Sequence, residues 1–410
     1  MSWRESTPMK ERRSFIEEYR NKEHSVAELC RRFGISRKTG YKWIARFREE
    51  GGDEGLEVEL ADRSRRPRAN PRAIEPWLVD AIVTSRKQRP NWGPKKLRAV
   101  LVKRNPVLDF PSVSTFAAIF KRHGLVRPRR RRGRTPPYSA PFAAASGPNK
   151  LWCVDFKGQF SVGNVKCYPL TVTDAYSRYL IACVGMRRPR GPAVRRAFEE
   201  IFNAFGLPDA IRSDNGPPFA ARGPGGFSKL SVWWLKLGIR HERITPGKPQ
   251  QNGRHERMHL TLKQETASPP EMTMATQQKV FDRFRKRFNE ERPHEALGQE
   301  VPATHYEPSR RRLPIPRSGR DFPYDSGTET VRVSRLGYAR VLGGSFFVST
   351  TLKHELLGIE PLATSGWAVH FGPVFIGRLD RAPRSRRVRF TPAAEVSPMS
   401  VDKVSPMSAE

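Results

Sequence analysis

The chain has 410 residues, room for two to four domains, and carries 75 Lys and Arg against 41 Asp and Glu, a formal charge of +34. Self-repulsion of that size calls for a polyanionic partner, nucleic acid first. No apolar run reaches the roughly 18–20 residues of a membrane span. The opening MSWRESTPMKERR lacks a signal-peptide core, and Cys30, Cys153, Cys167 and Cys183 form no CxxC pair. A reduced, cytoplasmic and nucleoid-associated protein with no membrane partner is expected.

Residues 10–50 read as three short helices. KERRSFIEEYRNK places Phe15, Ile16 and Tyr19 at helical spacing. Ser25 caps VAELCRRFG with Glu28 three residues on, a capping box, and Gly34 allows a tight turn. Ser36 caps RKTGYKWIARFREE, whose stripe is expected at Tyr41, Ile44 and Phe47 with Trp43 beside it. Two short helices around a Gly-containing turn predict a helix-turn-helix. Ser36, Arg37, Lys38, Thr39 and Lys42 stand where a recognition helix meets bases and phosphates. The plainer reading is a three-helix bundle with a solvated basic face.

This domain is expected over 1–52, with a Gly-, Pro- and Arg-rich linker over 53–72. Residues 73–126 read as three more helices, EPWLVDAIVTSRKQ, PKKLRAVLVKR and SVSTFAAIFKRHGL. The last two suggest a second helix-turn-helix capped by Ser112 or Ser114. RPRRRRGRTPP (127–137) has six arginines in its first eight positions. Within an arm at 127–148, Arg129, Arg130, Arg131 and Arg132 are candidates to lie on phosphates. A disordered spacer is compatible with the same composition.

From Asn149 the pattern becomes β-rich: LWCVDFKGQF, KCYPLTVTDAY and SRYLIACVGM. An amphipathic helix follows (RGPAVRRAFEEIFNAFGLP), then a strand (DAIRSD), a helix (FSKLSVWWLKLGI), a strand (RHERI), the loop TPGKPQQNG and a helix (RHERMHLTLKQE). This βββ-α-β-α-β-α order is that of the ribonuclease H-like α/β fold, expected over 149–312. Residues 328–382 alternate and predict a small β-barrel. The tail, 383–410, reads as disordered. It repeats VSPMS with a period of eight residues, hence 24 nucleotides of gene. That is either low complexity or a repeat kept for the DNA itself.

Three acids stand out. Asp155 interrupts an apolar strand, where a lone charge is costly unless paired or metal-bound. Asp214 ends a strand just before Asn215-Gly216-Pro217-Pro218, and Glu256 opens a helix after QQNG. Asp214 could sit in an ordinary turn, or be presented at the mouth of the strand. In the fold above the two strands are neighbours and the helix crosses them, so the carboxylates converge. Oxygen-only ligation favours two Mg²⁺ ions, with Mn²⁺ as substitute, a pair suited to phosphoryl displacement.

The motifs W-x-x-D-F-K-G (Trp152–Gly158), S-D-N-G-P-P-F, P-x-x-P-Q-Q-N-G-R-H-E (Pro246–Glu256) and F-N-x-x-R-P-H-E-A-L (Phe288–Leu297) resemble those of DDE transposases and integrases with a retroviral-integrase-type core, most closely bacterial insertion-sequence transposases. The resemblance maps the family's acids onto Asp155, Asp214 and Glu256. It implies metal-dependent strand cleavage and strand transfer on double-stranded DNA, at element ends and target, by a homo-oligomer. It also suggests DNA contacts at Asn215, Gln251 and Asn252, and places Asp174 in a sheet turn with Ser177 and Arg178 in the next strand. The Asp214–Glu256 interval, 42 positions, exceeds the family's usual one, and GPGGF (223–227) looks like the insertion. Two other readings stay open. One is a DNA-binding regulator with an inactive core. The other is a zinc peptidase, because His255-Glu256-Arg257-Met258-His259 spells H-E-x-x-H, although Leu262 stands where an extended motif needs Gly. In the preferred reading His255 and His259 flank the catalytic Glu and face phosphates.

Overall fold

The computed structural model describes residues 7–49, 60–62, 73–126, 145–221, 223–244, 253–315, 320–363, 365–381 and 388–393, without the side chains of 253 and 254. The arginine arm, Gln251, Asn252 and the VSPMS repeats lie outside the described residues. Two compact units emerge, Met1–Ile74 and Glu75–Glu410.

The first unit holds α1 (Pro8–Asn21), α2 (Val26–Arg32) and α3 (Arg37–Glu49) around Phe15, Ile16, Leu29, Trp43, Ile44 and Phe47. Both N-caps form, Ser25 Oγ accepting the Glu28 N–H at 3.3 Å and Ser36 Oγ that of Thr39 at 3.1 Å, but the capping box does not close, because the Glu28 carboxylate turns toward His24 at 3.9 Å. Gly40 lets α3 approach α2, because a Cβ there would collide with Cys30 Sγ. The expected stripe is rotated. Tyr41 is 58% exposed and Trp43 takes the core position, with Arg12 and Arg46 over its ring at 4.0 and 4.7 Å. Leu60 is buried in the same cluster, so packing extends beyond residue 52.

The second unit opens with α4 (Pro76–Gln88), α5 (Pro94–Arg104) and α6 (Val113–Arg122), the last capped by Ser112. A mixed sheet follows, built from β1 (Trp152–Phe156), β2 (Phe160–Val162), β3 (Val165–Asp174), β4 (Leu180–Met186), β5 (Ala210–Ser213) and β6 (Arg240–Arg243). Strands run in the order β2-β3-β1-β5-β6, with β4 also on β3. Alternation along the strands divides the core into two layers. Trp152, Val154, Leu170 and Val172 meet α7 (Gly191–Phe205) and α8 (Lys229–Lys236) through Phe198, Phe202, Trp233 and Trp234. Cys167, Leu180 and Cys183 meet α9 (Gly253–Thr266) and α10 (Met274–Glu290) through Met258, Leu262, Phe281, Phe284 and Phe288.

Helix α10 is absent from the element order expected above, although Phe281, Phe284 and Phe288 stand at helical spacing. Its end carries the F-N-x-x-R-P-H-E-A-L motif, whose work here is packing. Asn289 Oδ1 accepts the Leu180 N–H at 2.8 Å and its amide donates to the Leu180 carbonyl at 2.9 Å. Arg292 pairs with Glu265 of α9 at 3.1 Å. The segment beyond α10 receives the preceding helical domain through Arg89–Glu291 (2.7 Å), Lys95–Glu295 (2.6 Å) and Lys96 Nζ on the Pro293 carbonyl. Burial and Arg292 push the Lys96 ammonium down to about 8.

At the C-terminus β7 (Glu329–Arg332), β10 (Leu356–Pro361), β11 (Trp367–Phe371), β12 (Val374–Arg381) and β13 (Val388–Pro392) form one antiparallel sheet in the order β13-β12-β11-β10-β7. Strands β8 (Tyr338–Val341) and β9 (Gly344–Phe347) pair only with each other. Among the described residues the sheet does not close into the expected barrel, because its edge strands β7 and β13 have no ladder between them. The hairpin covers the opening, with Phe346 packed on Phe390 at 5.5 Å. Strand β13 also places Val388–Pro392 in a sheet rather than in the expected disordered tail. The GPGGF loop is no idle insertion, since Phe227 joins Val232 and Leu235 of α8 in the C-terminal core and packs on Phe371 at 5.5 Å.

Candidate active site

Strand β1 lies between β3 and β5. It is antiparallel to the first, with Asp155 opposite Thr171, and parallel to the second, with Cys153 opposite Arg212. Asp155 therefore sits near the end of the strand beside the one that Asp214 follows. Glu256 stands in the first turn of α9 and is exposed.

The S-D-N-G-P-P-F loop is both a turn and a presenting device. Asp214 Oδ1 accepts the Gly216 N–H at 3.2 Å. A Cβ at 216 would stand 3.2 Å from the other carboxylate oxygen, so glycine there makes room for the acid itself. Asn215 is exposed, but its amide donates to the Ile244 carbonyl at 2.8 Å and ties the loop to the end of β6. Phe219 anchors the far end, stacked on Phe156 at 5.6 Å and on Trp234 at 6.2 Å.

The three acids are coupled by charge. Burial first, then Asp214, then Glu256 push the Asp155 carboxyl up to about 7, against a hydrogen bond from the Phe156 backbone and the Lys157 charge. Among the described residues no three His, Cys, Asp or Glu side chains are gathered tightly enough to enclose a metal ion. Their oxygens form no closed cage, yet a carboxyl raised by burial and then by two neighbouring acids belongs to a donor set that a hard divalent cation fits.

His255 and His259 do not face phosphates. They are 2% and 6% exposed and turn onto β3. Both Nε2 atoms lie on Thr171 Oγ, at 2.6 and 2.7 Å, and His255 Nδ1 lies 3.1 Å from Thr173 Oγ. Burial holds them down at about 3 and about 2. A zinc helix needs both imidazoles turned to an open site, whereas here they are spent on threonine hydroxyls. Asp174 is also structural. Its carboxylate accepts the Asn149 N–H at 2.8 Å, the Ser177 N–H at 2.8 Å and the Ser177 hydroxyl at 2.7 Å. Ser177 and Arg178 lie in that turn, before β4 begins, and not in the strand.

On α3, Arg37, Lys38 and Lys42 are exposed as expected, Lys42 lying 4.8 Å over the Trp43 ring. Ser36 Oγ caps the helix through the Thr39 N–H, and the Thr39 hydroxyl bonds to it at 2.9 Å. Sequence reasoning missed Tyr41, exposed on the basic face. Its aromatic character suggests core, and only the rotation of the helix separates the two.

The integrase core domain family matches residues 145–249 and 237–302, and homeodomain-like families match 6–57 and 39–120. An uncharacterized 31.7 kDa protein of insertion element IS407 from Burkholderia multivorans is 28% identical over 230 residues, 55% of this chain and 79% of that one. An uncharacterized 39.2 kDa protein of insertion element IS476 from Xanthomonas euvesicatoria is 29% identical over 255 residues, 61% of this chain and 69% of that one. The Gag-Pol polyprotein of avian reticuloendotheliosis virus is 32% identical over 123 residues, 30% of this chain and 10% of the polyprotein. With the β1–β5 pairing, the helix-turn-helix and these matches together, the chain carries an integrase core domain behind homeodomain-like domains, the make-up of an insertion-sequence transposase.

Proposed function

We propose that Asp155, Asp214 and Glu256 are the catalytic carboxylates of this insertion-sequence transposase and hold two Mg²⁺ ions, for which Mn²⁺ can substitute. What supports the assignment is placement with charge: β1 pairs with the strand that Asp214 follows, Glu256 opens α9, and burial first, then those two acids, raise the Asp155 carboxyl. When bound, the ions supply the positive charge that activates an attacking oxygen and stabilises a leaving one in an in-line displacement at phosphorus. The chain's own part is placement. Strands β1 and β5 set two acids side by side, α9 brings the third, and the 215–219 loop stops the backbone beside Asp214. Water attacks first and frees a 3′-hydroxyl at the element end. That hydroxyl then attacks target DNA, and no protein–DNA covalent bond is required. Substitution of the acids, argued in the Discussion, is the test.

The helix-turn-helix reads the element ends through Arg37, Lys38 and Lys42, and Arg129–Arg132 neutralise phosphates without regard to sequence. Replacing the four arm arginines by Ala should weaken binding to every duplex. It should also flatten the log–log salt dependence by roughly 0.9 for each phosphate that is no longer neutralised. Arg37→Ala or Lys38→Ala should instead relax sequence choice. Filter binding across a salt series separates the two, and an unchanged slope without the arm would remove the arm from the interface.

Two ends must be cut and joined together, so the working form is a homodimer or larger assembly on nucleoid DNA in the cytoplasm. Sedimentation of a paired-end complex should find at least two copies, and a single copy would refute the assembly. The C-terminal sheet with its hairpin serves as a small barrel-like module seated on the core. No helix among the described residues is long and apolar enough to cross a membrane.

A further inference from the structure

Three partners converge on one buried hydroxyl. Thr171 is fully buried on β3, opposite Asp155. Its Oγ lies 3.0 Å from the Asp155 backbone carbonyl, 2.6 Å from His255 Nε2 and 2.7 Å from His259 Nε2. A threonine hydroxyl has one hydrogen to give. The carbonyl can only accept, so all three contacts are satisfied together only if both imidazoles donate from Nε2. The remaining ring nitrogens are then acceptors. That suits His255 Nδ1, which can take the hydrogen of Thr173 Oγ at 3.1 Å. His259 Nδ1 lies 3.8 Å from Asp155 Oδ2, beyond hydrogen-bond distance. The two rings meet edge to face at 4.6 Å. One atom thus links the strand that carries Asp155 to the helix that carries Glu256.

We infer that Thr171, with His255 and His259 in their Nε2–H form, is a positioning group. It sets the distance between Asp155 and Glu256 by pinning α9 to β1 through β3, and the H-E-x-x-H spelling arises from this pin rather than from zinc. The inference rests on the proposed role of those two acids. It explains why two polar rings are buried one turn apart on either side of Glu256, where a purely structural helix would bury aliphatic side chains. Only the face carrying the two imidazoles is clamped, and Glu256, between them in sequence, stays exposed.

The test is Thr171→Val, which keeps shape and loses the hydroxyl, beside Thr171→Ser, which keeps the hydroxyl. Thr171→Val should bind end DNA with unchanged affinity and KM while kcat for cleavage falls about 10- to 100-fold, the range seen when groups that orient catalytic ligands are lost. Thr171→Ser should restore most of it. A second readout needs neither metal nor DNA. ¹⁵N spectra of histidine-labelled protein should show two rings fixed as Nε2–H, the pattern lost in Thr171→Val and kept in Thr171→Ser. If Thr171→Val does not fold, His259→Gln, which keeps a donor near the ε position, and His259→Phe, which does not, replace it. The glutamine variant should then be the more active by at least about tenfold. Wild-type kcat in Thr171→Val, equal activity of the two His259 variants, or Nδ1–H rings in the wild type would overturn the inference. Asp155→Asn, run alongside, keeps the two claims apart: if it retains full activity the catalytic assignment fails, and if it is dead while Thr171→Val is normal only the positioning role fails.

Discussion

Asp155→Asn, Asp214→Asn and Glu256→Gln should each lower both strand cleavage and strand transfer in Mg²⁺ by at least about a thousandfold, with binding to element ends within about threefold of wild type. The magnitude follows from what is removed. A carboxylate that helps hold the cations supports several kcal/mol of transition-state charge stabilisation, and each 1.36 kcal/mol is tenfold in rate. The isosteric amides keep volume and hydrogen-bonding capacity, so loss of the fold is not the expected cause. In Asp214→Asn and Glu256→Gln the Asp155 carboxyl should move down toward the ordinary carboxylate range, because after burial those two charges help raise it. Asp174→Asn gives the contrast. That carboxylate is consumed by Asn149 and Ser177, so the variant should lose stability first and activity only through it. Cleavage at more than a tenth of the wild-type rate in any of the three would remove that residue from the site. Activity that survives all three substitutions but is abolished by a zinc chelator would revive the H-E-x-x-H reading.

The second large effect is on stability against pH, measured without metal or DNA. His241, His255, His259 and His294 are all buried and held to about 4, 3, 2 and 3. Their folded values lie below the unfolded value of about 6.5. Each contributes stability that is complete above pH 6.5 and lost as pH falls toward its folded value, because the unfolded chain takes up the proton first. Asp155, raised to about 7, and Asp174, also raised, act in the opposite sense. Their contribution is present below the unfolded carboxylate range and disappears as pH climbs through the folded value. Near pH 5 the four imidazoles outnumber the two opposing carboxyls, so the unfolded chain binds more protons and stability falls as pH falls. Urea midpoints should therefore drop sharply between pH 6.5 and 5. Asp155→Asn, which removes one opposing group, should steepen the slope. A flat profile, or a midpoint that rises on acidification, would contradict the burial of the four imidazoles.

Much of this molecule follows from its sequence alone. The period-3.6 and period-2 patterns, the Ser25 and Ser36 caps and the apolar runs around Asp155 are local, and local geometry decides them. The chain order of the strands implies that the segments of Asp155 and Asp214 are neighbours, and β1 and β5 do pair. Charge at +34 points to nucleic acid before any element is assigned. Tertiary structure alone decided the rest, because these features depend on which side of an element meets which partner. Tyr41 and Trp43 fit a helix stripe equally well until the Gly40–Cys30 approach sets its rotation. The same five letters, H-E-x-x-H, suit a zinc helix or a clamp, and only the placement of Thr171 across a different strand chooses between them. Whether alternating C-terminal strands close into a ring depends on a ladder between β7 and β13, whose ends lie 56 residues apart in the chain. A local pattern has no means to specify a contact at that separation.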